Sequence, residues 1–494
     1  MAATGLEASD QAFYGMLDRI AYANPFSEQR GALVEQLVPD VAAVRRNPDN
    51  DLLAQLVATR LSAFSQPGDL AALSVKDRRL VESGFLYVCY HHHTPAIDAL
   101  IRRQAEQGEE PLVHELAQSI ASELGHCGLS AETAWRYFAL FFQMRRAFYF
   151  ILHSLAGECV SMQHLRRALW DNIFTHDMRS YASGLWSRME DFSTLLLGET
   201  GSGKGAAAGA IGRSGFIPYL PDKRRFAANF TRSFTAINLS QFPDSLIESE
   251  LFGHRKGAFT GAIEHHQGVF EICSAHGALF LDEVGEVSIP VQIKLLQVLQ
   301  TRVFNPLGSH EHRRFAGRVI AATNRPLDEL RAAGKFRDDL YYRLCSDVIA
   351  VPPLRQRIAE SPAELALLVR LLVGRIAGAA DDGLDATVMR AIERDLPPDY
   401  QWPGNVRELE QAVRRVLLTG RYGGDTAMSS PDEDGQLAEQ LRAGQLSAEE
   451  LLGRYCAMLY RRFGTYADVA ARTGLDRRTV RSHLQRYRPS ADEP

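Results

Sequence analysis

Thr194-Leu195-Leu196-Leu197-Gly198-Glu199-Thr200-Gly201-Ser202-Gly203-Lys204-Gly205-Ala206-Ala207-Ala208 passes from an apolar run, through a glycine-rich loop, into small helix-forming residues. That order predicts strand, loop, then helix. Glycines let backbone N–H groups wrap a phosphate, and the N-terminus of the helix adds its positive dipole end. Lys204 supplies a cation for β- and γ-phosphates. Gly198, Glu199, Thr200, Gly201, Ser202, Gly203, Lys204 and Gly205 are therefore the candidate nucleotide-binding residues. A Ser or Thr usually follows such a lysine; here Gly205 stands in its place and brings no hydroxyl for Mg²⁺.

Downstream, Ala278-Leu279-Phe280-Leu281-Asp282-Glu283 is an apolar strand ending in two acids. At the C-terminal end of a strand the first acid can hold Mg²⁺ and the second can polarise a water for attack on a γ-phosphate. Val319–Thr323 predicts another strand, ending in Asn324, where an amide can sense the γ-phosphate or the attacking water. With Thr194–Leu197 and Phe234–Ile237, these runs predict buried parallel strands of an α/β sheet over residues 180–355. Arg337 and Arg343, in Phe336-Arg337-Asp338-Asp339-Leu340-Tyr341-Tyr342-Arg343-Leu344, are six residues apart, about 1.7 helical turns. In a ring-forming ATPase such arginines reach a neighbouring subunit's nucleotide; otherwise they are surface salt-bridge residues.

The 494 residues leave room for about three domains, with a near-average 46% hydrophobic and 23% charged residues. This composition excludes collagen-like, low-complexity and wholly disordered classes. Six cysteines occur singly, with no CxxC pair, which argues against a disulfide scaffold or zinc ribbon and for a reducing compartment. MAATGLEASDQ does not read as a signal peptide, and the apolar stretch Phe138–Leu155 is interrupted by charge. A soluble, cytoplasmic protein with no membrane contact is expected.

Apolar spacing over residues 1–170, as in Leu52, Leu53, Leu56, Val57 and Leu61, predicts a helical N-terminal domain. It shows no acidic-pocket pattern of a receiver domain. Cys89, His91, His92, His93, His114, His126 and Cys127 are metal-ligand types, yet contiguous histidines on one helix cannot all face one site; scattered histidines in a bundle are the expectation. Residues 356–420 again read as helical and 421–446 as a polar linker. Between Arg454 and Arg488 there are nine Arg and two Asp, a net +7 in a chain of net −5. Residues 447–488 read as a helix-turn-helix with Asp476 as N-cap of the second helix and Arg477, Arg478, Thr479, Arg481 and Ser482 as candidate DNA contacts. A solvated arginine face is the plainer alternative.

Glu250-Leu251-Phe252-Gly253-His254-Arg255-Lys256-Gly257-Ala258-Phe259-Thr260-Gly261-Ala262 resembles the ELFGH…GAFTGA signature of bacterial sigma-54-dependent transcription activators, the AAA+ enhancer-binding proteins. The resemblance is dense over about 190–420 and looser beyond. It implies a multidomain α/β protein: regulatory helical domain (1–170), AAA+ P-loop α/β sandwich (180–355), helical lid (356–420), linker (421–446) and Fis-type helix-turn-helix (447–488). It implies that Lys204 is the Walker A lysine and that Asp282 and Glu283 are the Walker B pair, Asp282 holding Mg²⁺. Asn238 would restrain the catalytic glutamate, Asn324 would be sensor I, and Arg337 and Arg343 would act in trans. Arg407, in Trp402-Pro403-Gly404-Asn405-Val406-Arg407-Glu408-Leu409, would be sensor II. Gly257, Ala258, Phe259, Thr260, Gly261 and Ala262 would contact sigma-54. ATP and Mg²⁺ would be the cofactors; sigma-54 RNA polymerase holoenzyme, upstream DNA and a self-assembled ring, a hexamer, would be the partners. Family members often carry Glu where Gly205 stands, so a regulator that binds ATP as an assembly signal without turnover is the rival. The segment Arg213–Arg232 is longer than expected and has no assignment.

Overall fold

The computed structural model describes residues 5–38, 52–64, 67–108, 113–378, 383–424, 441, 444 and 446–486. Most of the proposed linker, 425–440, and residues 487–488 lie outside them. The chain divides into two compact units, 1–389 with 400–414, and 390–399 with 415–494. No helix among the described residues is long and apolar enough to cross a membrane.

In the first unit the expected N-terminal helices form: α1 (Ala8–Ala21), α2 (Glu28–Leu37), α3 (Leu52–Leu61), α4 (Val75–Gln107), α5 (His114–His126), α6 (Ala131–Ser154) and α7 (Val160–Phe174). The starts of α2, α4 and α6 follow capping chemistry. The Ser74 and Ser130 hydroxyls accept from the backbone N–H of Asp77 and Thr133, and Gly108, in the left-handed region at φ 67°, closes α4.

The sheet comprises β1 (Thr194–Leu197), β2 (Phe234–Asn238), β3 (Ala278–Asp282), β4 (Arg318–Thr323) and β5 (Asp347–Ala350). All pairs are parallel, in the order β2-β3-β4-β1-β5. Four of the strands were expected; β5, an edge strand, was not. Alternation splits the side chains between two cores. Leu196, Phe280, Ile320 and Ala322 face one cluster, while Leu195, Leu279, Leu281, Val319 and Ala321 face the other. The second cluster is covered by α9 (Ile289–Thr301) and by Leu340 and Leu344 of α10 (Asp338–Leu344). On the first face lies α8 (Lys204–Gly212), an almost wholly apolar helix buried between the sheet and the N-terminal helices.

The helical region and the sheet thus share one core, and a side-chain network crosses from one to the other. Asn172 on α7 donates to Asp347 Oδ2 (2.6 Å) and Thr194 Oγ1 (3.0 Å). Arg318, with its pKa pushed down to about 10 by burial, donates to Asn172 Oδ1 (2.9 Å), Thr194 Oγ1 (3.0 Å) and the Phe192 carbonyl (2.8 Å).

The unassigned segment 213–232 folds back onto the helices as a hairpin pairing Tyr219–Leu220 with Arg225–Phe226. Phe226 stacks on Phe142 at 4.5 Å between centroids, and Tyr219 meets Phe138 edge-on. Fully buried Arg146 donates to the carbonyls of Arg213 (2.9 Å) and Gly215 (2.8 Å), its cation lying over Phe142 and Phe230. Burial pushes its pKa down to about 9. Its neighbour Gln143 donates to Ser214 O, and Gln104 donates to Asn229 Oδ1.

Beyond the sheet lie α11 (Ala363–Ala377), α12 (Leu384–Asp395) and α13 (Asn405–Thr419). The second unit carries α14 (Ala448–Phe463), α15 (Tyr466–Thr473) and α16 (Arg477–Arg486), joined by left-handed Gly464 and Gly474. Cys456, Leu459, Val469, Val480 and Leu484 make its small core.

Candidate active site

β1 and β3 end at the same edge of the sheet, so the glycine loop and the acid pair meet there. The loop takes left-handed backbone at Gly201 (φ 77°) and Gly203 (φ 112°). At Gly201 a side chain has no room, because a Cβ would run into the Gly404 carbonyl. The Lys204 ammonium is buried, donating to the Gly198 (2.8 Å) and Glu199 (3.2 Å) carbonyls. Burial lowers its pKa, opposed by the charges of Glu283 and Asp282. Burial raises that of Asp282, opposed by Lys204 and Arg407.

Glu283 sits at φ 56°, ψ 46°, a strained setting for a residue with a side chain. One carboxylate oxygen stands 4.0 Å from Lys204 Nζ; the other accepts the Asn324 backbone N–H at 3.2 Å. The Asn324 side chain donates to Thr200 Oγ1 at 2.8 Å, linking the glycine loop to the acid. Asn238 pairs in register with Asp282 and faces the cavity, its side-chain oxygen accepting from the Ser240 N–H and hydroxyl.

These groups line a cavity of 590 Å³ that includes Thr200–Gly205, Asn238, Asp282, Glu283 and Arg407. Its walls also take His153, Leu155 and Met162 from the N-terminal helical region and Leu368 and Leu372 from α11. The Ser202 hydroxyl is buried beside it with no hydrogen-bond partner. An orphan donor, a buried ammonium and a glycine loop together fit a polyphosphate, and Asp282 with Glu283 fits a hard divalent cation such as Mg²⁺.

Asn405, which sequence reasoning left without a role, is fully buried at φ 54°. It donates to the Thr200 carbonyl (3.1 Å) and Glu199 Oε2 (3.2 Å) and accepts the Leu354 N–H (2.7 Å), so it pins the glycine loop to the start of α13. Glu199 is further clamped by Arg355 at 2.7 Å. An Asn between a Pro-Gly turn and a helix was the available signal.

Other expected site residues lie away from this cavity. Arg337 precedes α10 and is paired with Asp339 at 2.7 Å; Arg343 donates twice to the Leu299 carbonyl (2.7 and 2.9 Å). The Gly257–Ala262 loop projects from a base fastened by the His254–His266 bridge and by Gly257 N–H donating to Ala262 O at 2.8 Å. Thr260 is exposed and Phe259 partly so, resting edge-on against His254, whereas Ala262 is buried. On α16, Arg477, Arg478, Arg481 and Ser482 are exposed, but the Thr479 hydroxyl is turned to Asp476 at 2.7 Å.

Residues 178–350 match the family model described as Sigma-54 interaction domain. The chain is 42% identical over 231 residues to a Nif-specific regulatory protein of Azotobacter vinelandii, covering 47% of this chain and 40% of that one. It is 36% identical over 313 residues to the hydrogenase transcriptional regulatory protein HoxA of Bradyrhizobium diazoefficiens, covering 60% of each. It is 36% identical over 308 residues to the transcriptional regulatory protein ZraR of Klebsiella oxytoca, covering 60% of this chain and 64% of that one. The chain thus spans less than two thirds of the length of these relatives. Residues 178–350 are thus similar to the Sigma-54 interaction domain, and the chain resembles these transcriptional regulators over about half of its length.

Proposed function

We propose that the protein hydrolyses ATP as a ring and spends the energy on opening promoters held by sigma-54 RNA polymerase, while bound to upstream DNA. The observation that carries this is the convergence of Lys204, Asp282 and Glu283 on one cavity at the edge of a parallel sheet, with Asn324 bonded to Glu283 and Thr200. Lys204 leaves its loop carbonyls to meet phosphate charge. Glu283, fixed by the Asn324 N–H, orients and polarises the attacking water. Asp282 holds Mg²⁺, which when bound neutralises charge on the phosphates. Gly205 offers no side-chain hydroxyl to a metal, so Asp282 is the side chain that would hold Mg²⁺. Asn324, bonded to both Thr200 and Glu283, links the state of the loop to the position of the base.

Arg343 meets no carboxylate among the described residues and is held only by the Leu299 carbonyl, which leaves it available to a neighbouring subunit's site. Arg478 and Arg481 present their charge on the exposed face of α16 to DNA. Exposed Thr260 and Phe259, on a loop remote from the phosphates, are the contact to sigma-54.

The test is phosphate release by the full chain at high concentration, together with Thr260→Ala. ATP turnover by the wild type is expected, and the variant should keep it while losing sigma-54 binding and promoter opening in a purified system. A wild type that binds ATP without releasing phosphate supports the assembly-signal reading instead. A Thr260→Ala protein that still engages sigma-54 removes the loop from the coupling.

A further inference from the structure

Cys89 and His93 stand four residues apart on α4, and Glu123 and Cys127 four apart at the end of α5; each pair lies on one helical face. The two helices pack together, bringing a ligand atom of Cys89, of His93 and of Glu123 within 4.8 Å of one another. His93 Nε2 is 2.8 Å from Glu123 Oε2, and His92 Nδ1 reaches the same oxygen at 3.2 Å from the solvent side. Cys127 Sγ donates to the Glu123 carbonyl at 3.3 Å.

We propose that Cys89, His93, Glu123 and Cys127 bind one borderline-soft divalent cation of the zinc(II) class, with Cys127 swinging from its backbone bond to become the fourth ligand. The proposal is independent of the nucleotide reading. Thiolate, imidazole and carboxylate in a set of four suit tetrahedral zinc and not magnesium or calcium. The setting also asks for a cation. Cys89 and His93 are buried beside an apolar core, with the Glu123 carboxylate within reach of both. A divalent ion would replace the thiol protons and answer the carboxylate, while His92 fixes the Glu123 side chain from outside. Helix α5 begins at His114, whose ring bonds the Tyr219 hydroxyl of the 213–232 hairpin at 3.1 Å, so the site sits on a helix that also grips that segment.

The test uses the full chain, stripped of metal with a chelator, kept reduced with a phosphine and titrated with Co²⁺. One equivalent should give the strong visible absorption of a tetrahedral site and a thiolate-to-cobalt charge-transfer band, both abolished by added Zn²⁺. Cys89→Ser should remove the charge-transfer band or most of it, Cys127→Ser should weaken it, and Cys456→Ser should leave it intact. Zn²⁺ should raise the melting temperature of the wild type and not that of Cys89→Ser. Absence of a thiolate band in wild-type protein at saturating Co²⁺ overturns the proposal whether or not the variants fold. So does a band of undiminished intensity in Cys89→Ser protein of native circular dichroism, and a band unchanged in Cys127→Ser refutes the fourth ligand.

Discussion

Around Lys204 the side chains that matter sit at turns in the backbone, and their meaning is set within a few residues: glycines at positive φ, an acid at φ 56°, an amide at the end of a strand. In the helical region the polar groups that matter are buried inside long regular helices and answered from far along the chain. Arg146 meets carbonyls 67 and 69 residues away, Gln104 meets Asn229 across 125 residues, and Asn172 meets Asp347 across 175. The first kind of site is a local conformation with chemistry attached, the second a long-range fit. Substitutions should therefore separate them: changes at the loop should alter chemistry with little loss of stability, and changes in the helices should cost stability first.

The sharpest break of that contrast is Arg146→Ala. It leaves two partly buried carbonyls without a donor and a cavity against Phe142 and Phe230, and should destabilise the first unit by about 3–5 kcal/mol in denaturant unfolding. A loss under about 1 kcal/mol would mean that the hairpin is held by its aromatic rings alone. Gly201→Ala should come next. The added Cβ meets the Gly404 carbonyl in a left-handed setting, so the loop must move off α13; a cost of about 1–3 kcal/mol is expected, read as weaker nucleotide affinity more than as lower melting temperature. Equal losses of both would place Gly201 with the long-range class. The smallest effect belongs to Gly205→Ala. Position 205 is exposed in the first turn of α8 with open space around its Cβ, so the helix should gain up to about 1 kcal/mol with turnover unchanged. A fall in turnover would give Gly205 a role in the chemistry that its open surroundings do not suggest.

The same contrast explains what could be read in advance. The strand, glycine loop and helix at 194–208 are legible because each residue's conformational preference agrees with its place. The acids at the end of β3 are legible because an apolar run stops on them. Strand β5 was missed since Asp347-Val348-Ile349-Ala350 is a short edge strand pressed between α10 and the Pro352-Pro353 turn, with two of its four residues showing mostly to solvent besides Asp347. Segment 213–232 was opaque because its aromatic residues find partners on α6, and no local pattern shows that distance. His93 was read as one of a run of histidines. Only the packing of α4 on α5 singles it out from His91, which turns to the other face against Tyr87 and Tyr90.

The central claim is that Glu283 activates water for ATP hydrolysis, in a site whose binding is done by other groups. Glu283→Gln tests it most directly, because the amide keeps the size of the side chain and an acceptor for the Asn324 N–H while losing the base. ATP affinity and steady-state phosphate release should be measured on the same preparation of the full chain. The account predicts affinity close to wild type with release lowered by about 10²-fold or more. Phosphate release at the wild-type rate, with affinity retained, would contradict it.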